Sequence, residues 1–346
     1  MQEPLRKILN DCIEEQIQLW KQEGKTDAEI CKLMENIDLT PPFKEITNIE
    51  RAKSLEYLKA HMYEIALESK VETQAFITHM DNIWWRCFAA SHTLYTIVLE
   101  AVQDYSNYIY QEPIRKEVID KGYTLQVIKF IQGRALQIFL EILHLIRLGF
   151  ADAAYARWRA MYELCCYGQF IVKQGEIIAK QYLDQSMTDL HKNDWLLGSV
   201  DNNGKVFTDK KGKNREPKFD EIQDVCGVSD AWKKEYKQAC LVVHASPQGT
   251  FARLARPYGI EAVSVGHSDY GIAAPACQSA KSLVWITDTY LSIISDPDAM
   301  NNILKVKDWA SYTVDLYDEI DQEAKAQNTS NDSIDQNGKD GEEKCQ

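Results

Sequence analysis

Two consecutive helical stretches between Arg134 and Lys173 carry ionic side chains at spacings that place them on common faces. In the first, Arg134, Gln137, Glu141 and His144 recur every three or four residues and form one polar stripe. In the second, Asp152, Ala156, Arg159, Glu163 and Tyr167 share a face. Charge on otherwise apolar helices is costly unless it is paired or has a task. If the two stripes face each other, Arg159 reaches Glu141 or Glu163 as a bidentate partner. Such a centre is either a polar network that fixes helix register or a cleft in which paired charges bind or activate a substrate.

Other segments bear on the same chemistry. Glu141-Ile142-Leu143-His144 has the Glu-x-x-His spacing of di-iron carboxylate bundles, but the chain has no second copy of it, so no metal is expected. His244-Ala245-Ser246-Pro247 ends a helix, where the macrodipole favours a protonated imidazole that caps carbonyls. Ser246 lacks the Gly-x-Ser-x-Gly setting of a hydrolase nucleophile. Arg86 and His92 resemble the arginine-then-histidine motif of helical nucleotidyltransferase-associated ribonucleases. In that chemistry a histidine serves as acid or base and an arginine stabilises phosphorane charge. Here Cys87 stands where those enzymes usually carry a polar residue. Gly266 to Gly271 has no cofactor pattern, and the basic run Lys210, Lys211, Lys213 and Arg215 reads as a solvated loop with only Phe207 as an aromatic neighbour.

The elements that must position these groups are helices. The 346 residues are 45% apolar, enough for a large core. A net charge of -13 weighs against broad capture of nucleic acid or anionic membrane. Nine cysteines without a Cys-x-x-Cys pair point to reduced thiols. The N-terminus has no secretory h-region and no segment is long and apolar enough for a bilayer, so a cytoplasmic location is expected. Helix signals recur and strand signals are nearly absent. Capping boxes at Thr26–Glu29 and Thr47–Glu50 open helices, Pro41-Pro42 closes the region between them, and Pro113 breaks the chain. Residues 124–148 and 152–173 form an antiparallel hairpin closed by a left-handed Gly149. Further helices are expected over 176–192, 219–225, 229–244, 278–295 and 298–326.

The expected fold is all-α. It is a multi-helix bundle on this central hairpin, with an irregular insertion over 248–275 and a polar loop over 198–218. The organisation expected is an N-terminal helical region over 1–112, a bundle domain over 113–326 and a disordered acidic tail over 327–346.

The segment LGFADAAYARWRAMYE together with YKQACLVVHASPQG resembles a bacterial all-helical domain family of unknown function over about residues 125–255. That family has an Arg-x-x-x-Glu helix, here Arg159 and Glu163, followed by a His-x-Ser motif, here His244 and Ser246. The resemblance implies a cytoplasmic bacterial protein, in some members encoded near phage-defence genes, with no established activity and no cofactor. Two functions follow. One is a binding or regulatory component of a stress or phage-defence response, with an unidentified protein or RNA partner. The other is a metal-independent endoribonuclease using Arg159, Glu163 and His244, or else Arg86 and His92.

Overall fold

The computed structural model describes residues 5–35, 40–187, 194–243, 247–251 and 265–342. Among them the regular elements are helical. They are α1 (Leu5–Gln22), α2 (Asp27–Glu35), α3 (Thr40–Ile109), α4 (Lys116–Asp120), α5 (Gly122–Arg147), α6 (Ala151–Gln174) and α7 (Glu176–Gln185). After them come α8 (Phe219–Cys226), α9 (Asp230–Val243), α10 (Pro247–Phe251), α11 (Ala273–Leu291) and α12 (Pro297–Glu342). Among the described residues, β pairing is limited to two isolated bridges, Val200 with Val206 and Thr208 with Asn214. No described helix is long and apolar enough to cross a membrane.

The chain divides into two compact units, Met1–Glu72 and Thr73–Gln346. In the first, the Glu29 carboxylate accepts the Thr26 backbone N–H at 2.8 Å, the bond expected of the capping box that opens α2. Pro41 and Pro42, expected to close this region, stand instead in the first turn of α3. Proline is tolerated there because the first-turn N–H groups have no intrahelical partner to lose. Thr47–Glu50 lies inside α3 and starts nothing. A helix already under way satisfies those N–H groups from its own carbonyls.

The sequence break at Pro113 therefore does not coincide with the unit boundary, which falls within α3. The reason is burial. Met80, Trp84, Leu94, Val98 and Tyr105 of α3 are almost fully enclosed, whereas Leu55, Leu58, Met62 and Ile65 are half-exposed.

In the second unit α5 and α6 form the antiparallel hairpin, and α11 packs against both. The hairpin turn is a Schellman motif. Gly149 N–H donates to Ile146 at 3.0 Å, and Phe150 N–H donates to Leu145 at 2.9 Å. Gly149 has φ +74°, and a Cβ there would lie 2.6 Å from the Phe76 ring and 2.7 Å from the Ser268 nitrogen. The far side of α11 meets α12. The buried half of α3 closes the bundle, with Trp309 Nε1 donating to the Ala90 carbonyl at 2.9 Å and Tyr317 bonding Ser91. Inside, Trp158 Nε1 donates to Ser282 Oγ at 2.9 Å and Gln132 Nε2 to Thr287 Oγ1 at 3.1 Å, so these two buried hydroxyls of α11 are met from the hairpin. Each buried Leu, Ile or Phe here contributes about 1.5–3 kcal/mol.

Beyond the hairpin, α7 ends at Gln185, and residues 188–192, expected to extend it, lie outside the described set. The polar loop holds two equivalent turns: Asp201 Oδ1 accepts the Asn203 and Lys205 N–H groups, and Asp209 Oδ1 those of Lys211 and Lys213. α11 begins at Ala273, ahead of the expected Gln278. Pro275 sits in its first turn, where it breaks no helical bond. α12 is helical to Glu342, and the side chains of the tail over 327–346 lie outside the described residues. Burial pushes the thiols of Cys87, Cys226 and Cys277 up to about 12, so they pack as small apolar groups and are not nucleophiles.

Candidate functional site

Arg159 and Glu163 stand one turn apart on α6, and the guanidinium meets Glu163 Oε1 at 2.9 Å. The same oxygen accepts the Tyr236 hydroxyl from α9 at 2.7 Å. The Arg159 guanidinium lies over the Tyr236 ring, 5.6 Å from its centroid. That ring in turn stacks on Tyr162 at 4.8 Å. Burial works against the Arg159 charge, but the Tyr236 hydroxyl and the Glu163 carboxylate outweigh it and raise its pKa. Burial, with the carboxylate beside it, also pushes the Tyr236 hydroxyl well above the usual phenol range. Arg159 Nε is buried without a hydrogen-bond partner among the described residues.

The Arg159, Glu163 and Tyr236 side chains meet at the rim of the bundle and not inside its core. The side chains of Arg159 and Glu163 keep 29% and 30% of their exposure, which makes the pair a partly screened one. His244 and Ser246, expected to join it, lie outside the described residues.

Of the two carboxylates offered to Arg159 by the sequence, Glu163 is the one it meets, and Glu141 does not belong to this centre. Its carboxylate is taken by Arg157 Nε, with Arg134 and Gln137 each at 3.5 Å. Arg157 and Arg159 are two residues apart and so point to opposite sides of α6, about 200° round the helix. The one toward the hairpin partner is Arg157. Its hydrogen bond, against a smaller opposing effect of burial, holds the Glu141 carboxyl below the usual range. His144 is exposed one turn on. Glu141, His144 and Glu163 therefore do not converge, and no group of three His, Cys, Asp or Glu able to hold a metal occurs among the described residues.

Arg86 and His92 also separate. Arg86 is exposed and loosely opposite Glu319 of α12 at 3.9 Å. His92 faces α5, where partial burial and then the neighbouring His144 and Arg147 lower its pKa. Six residues of helix set the two side chains about 120° apart.

Two features carry no sequence signature. The loop Gly266–Gly271 is a clasp on the hairpin turn. His267 Nδ1 lies 2.7 Å from the Leu148 carbonyl, its ring stacks on Phe76 at 4.9 Å, and His79 pairs with Asp269 at 3.0 Å. The second is a cleft of about 430 Å³ between the α8–α9 turn and α11, walled by Trp232 and Trp285. Tyr236 and these tryptophans went unmarked in the sequence because each occupies an ordinary core-facing position of an amphipathic helix. Tyr236 does head the segment that carried the family resemblance, and that was its one available signal.

Residues 127–257 match the model of a family described as of unknown function, DUF5677. The matched span runs from α5 through the segment after α10, in close agreement with the resemblance expected over about 125–255, and it contains Arg159, Glu163 and Tyr236. No curated protein and no solved structure matches the chain.

Proposed function

We propose that this chain is a binding or regulatory helical protein acting on a protein partner, in a bacterial stress or phage-defence response as the family resemblance implies. The observation that carries the reading is that Glu163 Oε1 is shared by Arg159 and Tyr236 at 2.9 and 2.7 Å. An arginine that stabilises a phosphorane needs its N–H groups free to face the phosphate, and an acid–base catalyst needs a group that titrates near neutral pH. At this centre one guanidinium nitrogen is held by a carboxylate and the phenol is held protonated. A rigid ionic patch on the α6–α9 surface suits recognition of a partner better than turnover.

Purified protein incubated with total RNA, beside the Arg159→Ala and His92→Ala variants, tests this. The expected result is RNA left intact by all three, with a lower melting midpoint for Arg159→Ala. Cleavage by the wild type that either variant abolishes would falsify the binding reading and establish the ribonuclease one.

A further inference from the structure

The Trp232–Trp285 cleft has the makings of a small-molecule site, and its chemistry specifies the guest. Its lining comes from Gln169 of α6, the Cys226–Ser229 turn, Trp232 of α9, and Lys281, Trp285 and Asp288 of α11. A volume of about 430 Å³ falls within the range of ligand pockets. The two indoles meet edge-to-face at 5.2 Å and 72°, forming an aromatic corner in the wall of the cleft. Trp285 is fixed in place, because its Nε1 donates to Gln169 Oε1 at 2.8 Å. The platform is therefore pre-organised, which lowers the cost of binding.

The unused polar capacity of the lining is one-sided. Gln169 has its oxygen occupied, so its amide N–H groups are what it has left to offer. Lys281 is exposed and makes no ion pair among the described residues. Ser229 Oγ already accepts the Trp232 N–H, leaving its own O–H to donate. The single carboxylate, Asp288, is taken by Lys307 at 2.8 Å and by Ser292 at 3.2 Å. The vacant groups are donors and one cation, beside an aromatic corner, on a chain whose net charge is -13. A neutral aromatic ligand would leave Lys281 without a role, and an aliphatic acid would leave the indoles without one. A base that stacks and accepts hydrogen bonds, joined to a phosphate, uses both.

We propose that this cleft binds a mononucleotide, with the base against the Trp232–Trp285 corner, Gln169 donating to its edge and Lys281 holding the phosphate. The inference is independent of the Arg159 centre and survives or fails apart from it.

Isothermal titration calorimetry of the full chain with AMP, GMP, CMP and UMP, and with the matching nucleosides and ribose 5-phosphate, tests it. At least one nucleotide is expected to bind one-to-one, with its nucleoside and ribose 5-phosphate each weaker by about tenfold or more. Lys281→Glu, a change at an exposed position that leaves folding intact, is expected to weaken the nucleotide by about tenfold and the nucleoside hardly at all. Trp232→Ala, with its fold verified by circular dichroism, is expected to weaken both. The proposal is overturned if no nucleotide gives a saturable isotherm at millimolar concentration. It is equally overturned if Lys281→Glu leaves affinity unchanged, or if ribose 5-phosphate binds as tightly as the nucleotide.

Discussion

Glu163 Oε1 helps tie α6 to α9 by accepting the Tyr236 hydroxyl, and it also accepts from Arg159 of its own helix. Removing either donor leaves the carboxylate half-buried with one partner. Tyr236→Phe is expected to cost about 1 kcal/mol and Arg159→Ala about 1–2 kcal/mol, the lower ends applying because the pair is partly exposed. Since the two donors share one acceptor, their effects should not add. Urea unfolding of both single variants and the double variant measures this, and a coupling below about 0.3 kcal/mol would show that the three groups act separately. The Arg159–Glu163 pair was legible in the sequence, because their spacing fixes adjacency on any helix. Its third member was not, since nothing local says which residue of another helix arrives there. The choice between Arg157 and Arg159 for Glu141 was closed to sequence too: a helical wheel gives directions, and only packing says which direction meets α5.

A second ionic site has a pH signature of its own. Arg215 grips Glu221 with two bonds of 2.7 and 2.6 Å, and the Lys218 N–H adds a third at 2.7 Å. The Arg215 bonds foremost, opposed by burial and helped by Lys218, hold the Glu221 carboxyl at about 2 against an ordinary 4.5. A depressed folded-state pKa stabilises the fold above the unfolded value, and that contribution disappears as pH falls toward the folded one. The melting-point advantage of the wild type over Glu221→Gln should therefore be full at pH 6, shrink from about 4.5 downward and vanish near 2. An advantage that stays constant across that range would rule the ion pair out as its source.

At the scale of elements, the hairpin turn is where the backbone is most constrained. Gly149 combines a left-handed φ with a rigid ring and a backbone nitrogen where its Cβ would go. Gly149→Ala meets both the conformational cost, about 1 kcal/mol, and overpacking against Phe76 and Ser268, for a total of about 2–4 kcal/mol. Gly227, at φ +72° with nothing within 4 Å, supplies the control, and Gly227→Ala should cost only about 1 kcal/mol. Equal losses in chemical denaturation would mean that the clasp yields to the added methyl group. The turn itself was readable in advance, since a glycine after a long apolar periodicity is a helix stop with a mechanism. What it touches was not readable, because Phe76 and Ser268 are distant in the chain. Proline gave the opposite lesson. Pro41-Pro42 signals a helix edge without saying which edge, and here it is the beginning of α3.

For the whole molecule, the question is where the self-sufficient body starts. Residues 49–71 and 80–109 of α3 have similar apolar periodicity, yet only the second stretch is enclosed. Periodicity reports a face able to be buried, and a partner decides whether it is. This is why composition and Pro113 suggested a boundary near 112 while packing sets one at Glu72. A chain of residues 73–346 retains Met80, Trp84, Phe88, Leu94, Val98, Tyr105 and Ile109, all buried in the core cluster. A chain of residues 113–346 loses them. At about 1.5–3 kcal/mol for each large side chain, that loss is on the order of 10 kcal/mol or more. It matches the entire stability of an ordinary domain, about 5–15 kcal/mol. The shorter chain would also expose the α12 face that Trp309 and Tyr317 bond through Ala90 and Ser91. The 73–346 chain is therefore expected to unfold in one cooperative transition by circular dichroism, with dispersed amide resonances. The 113–346 chain is expected to aggregate or to show collapsed ones. A cooperative transition from residues 113–346 would place the independent core in α5–α12 alone and reduce the C-terminal half of α3 to an attachment.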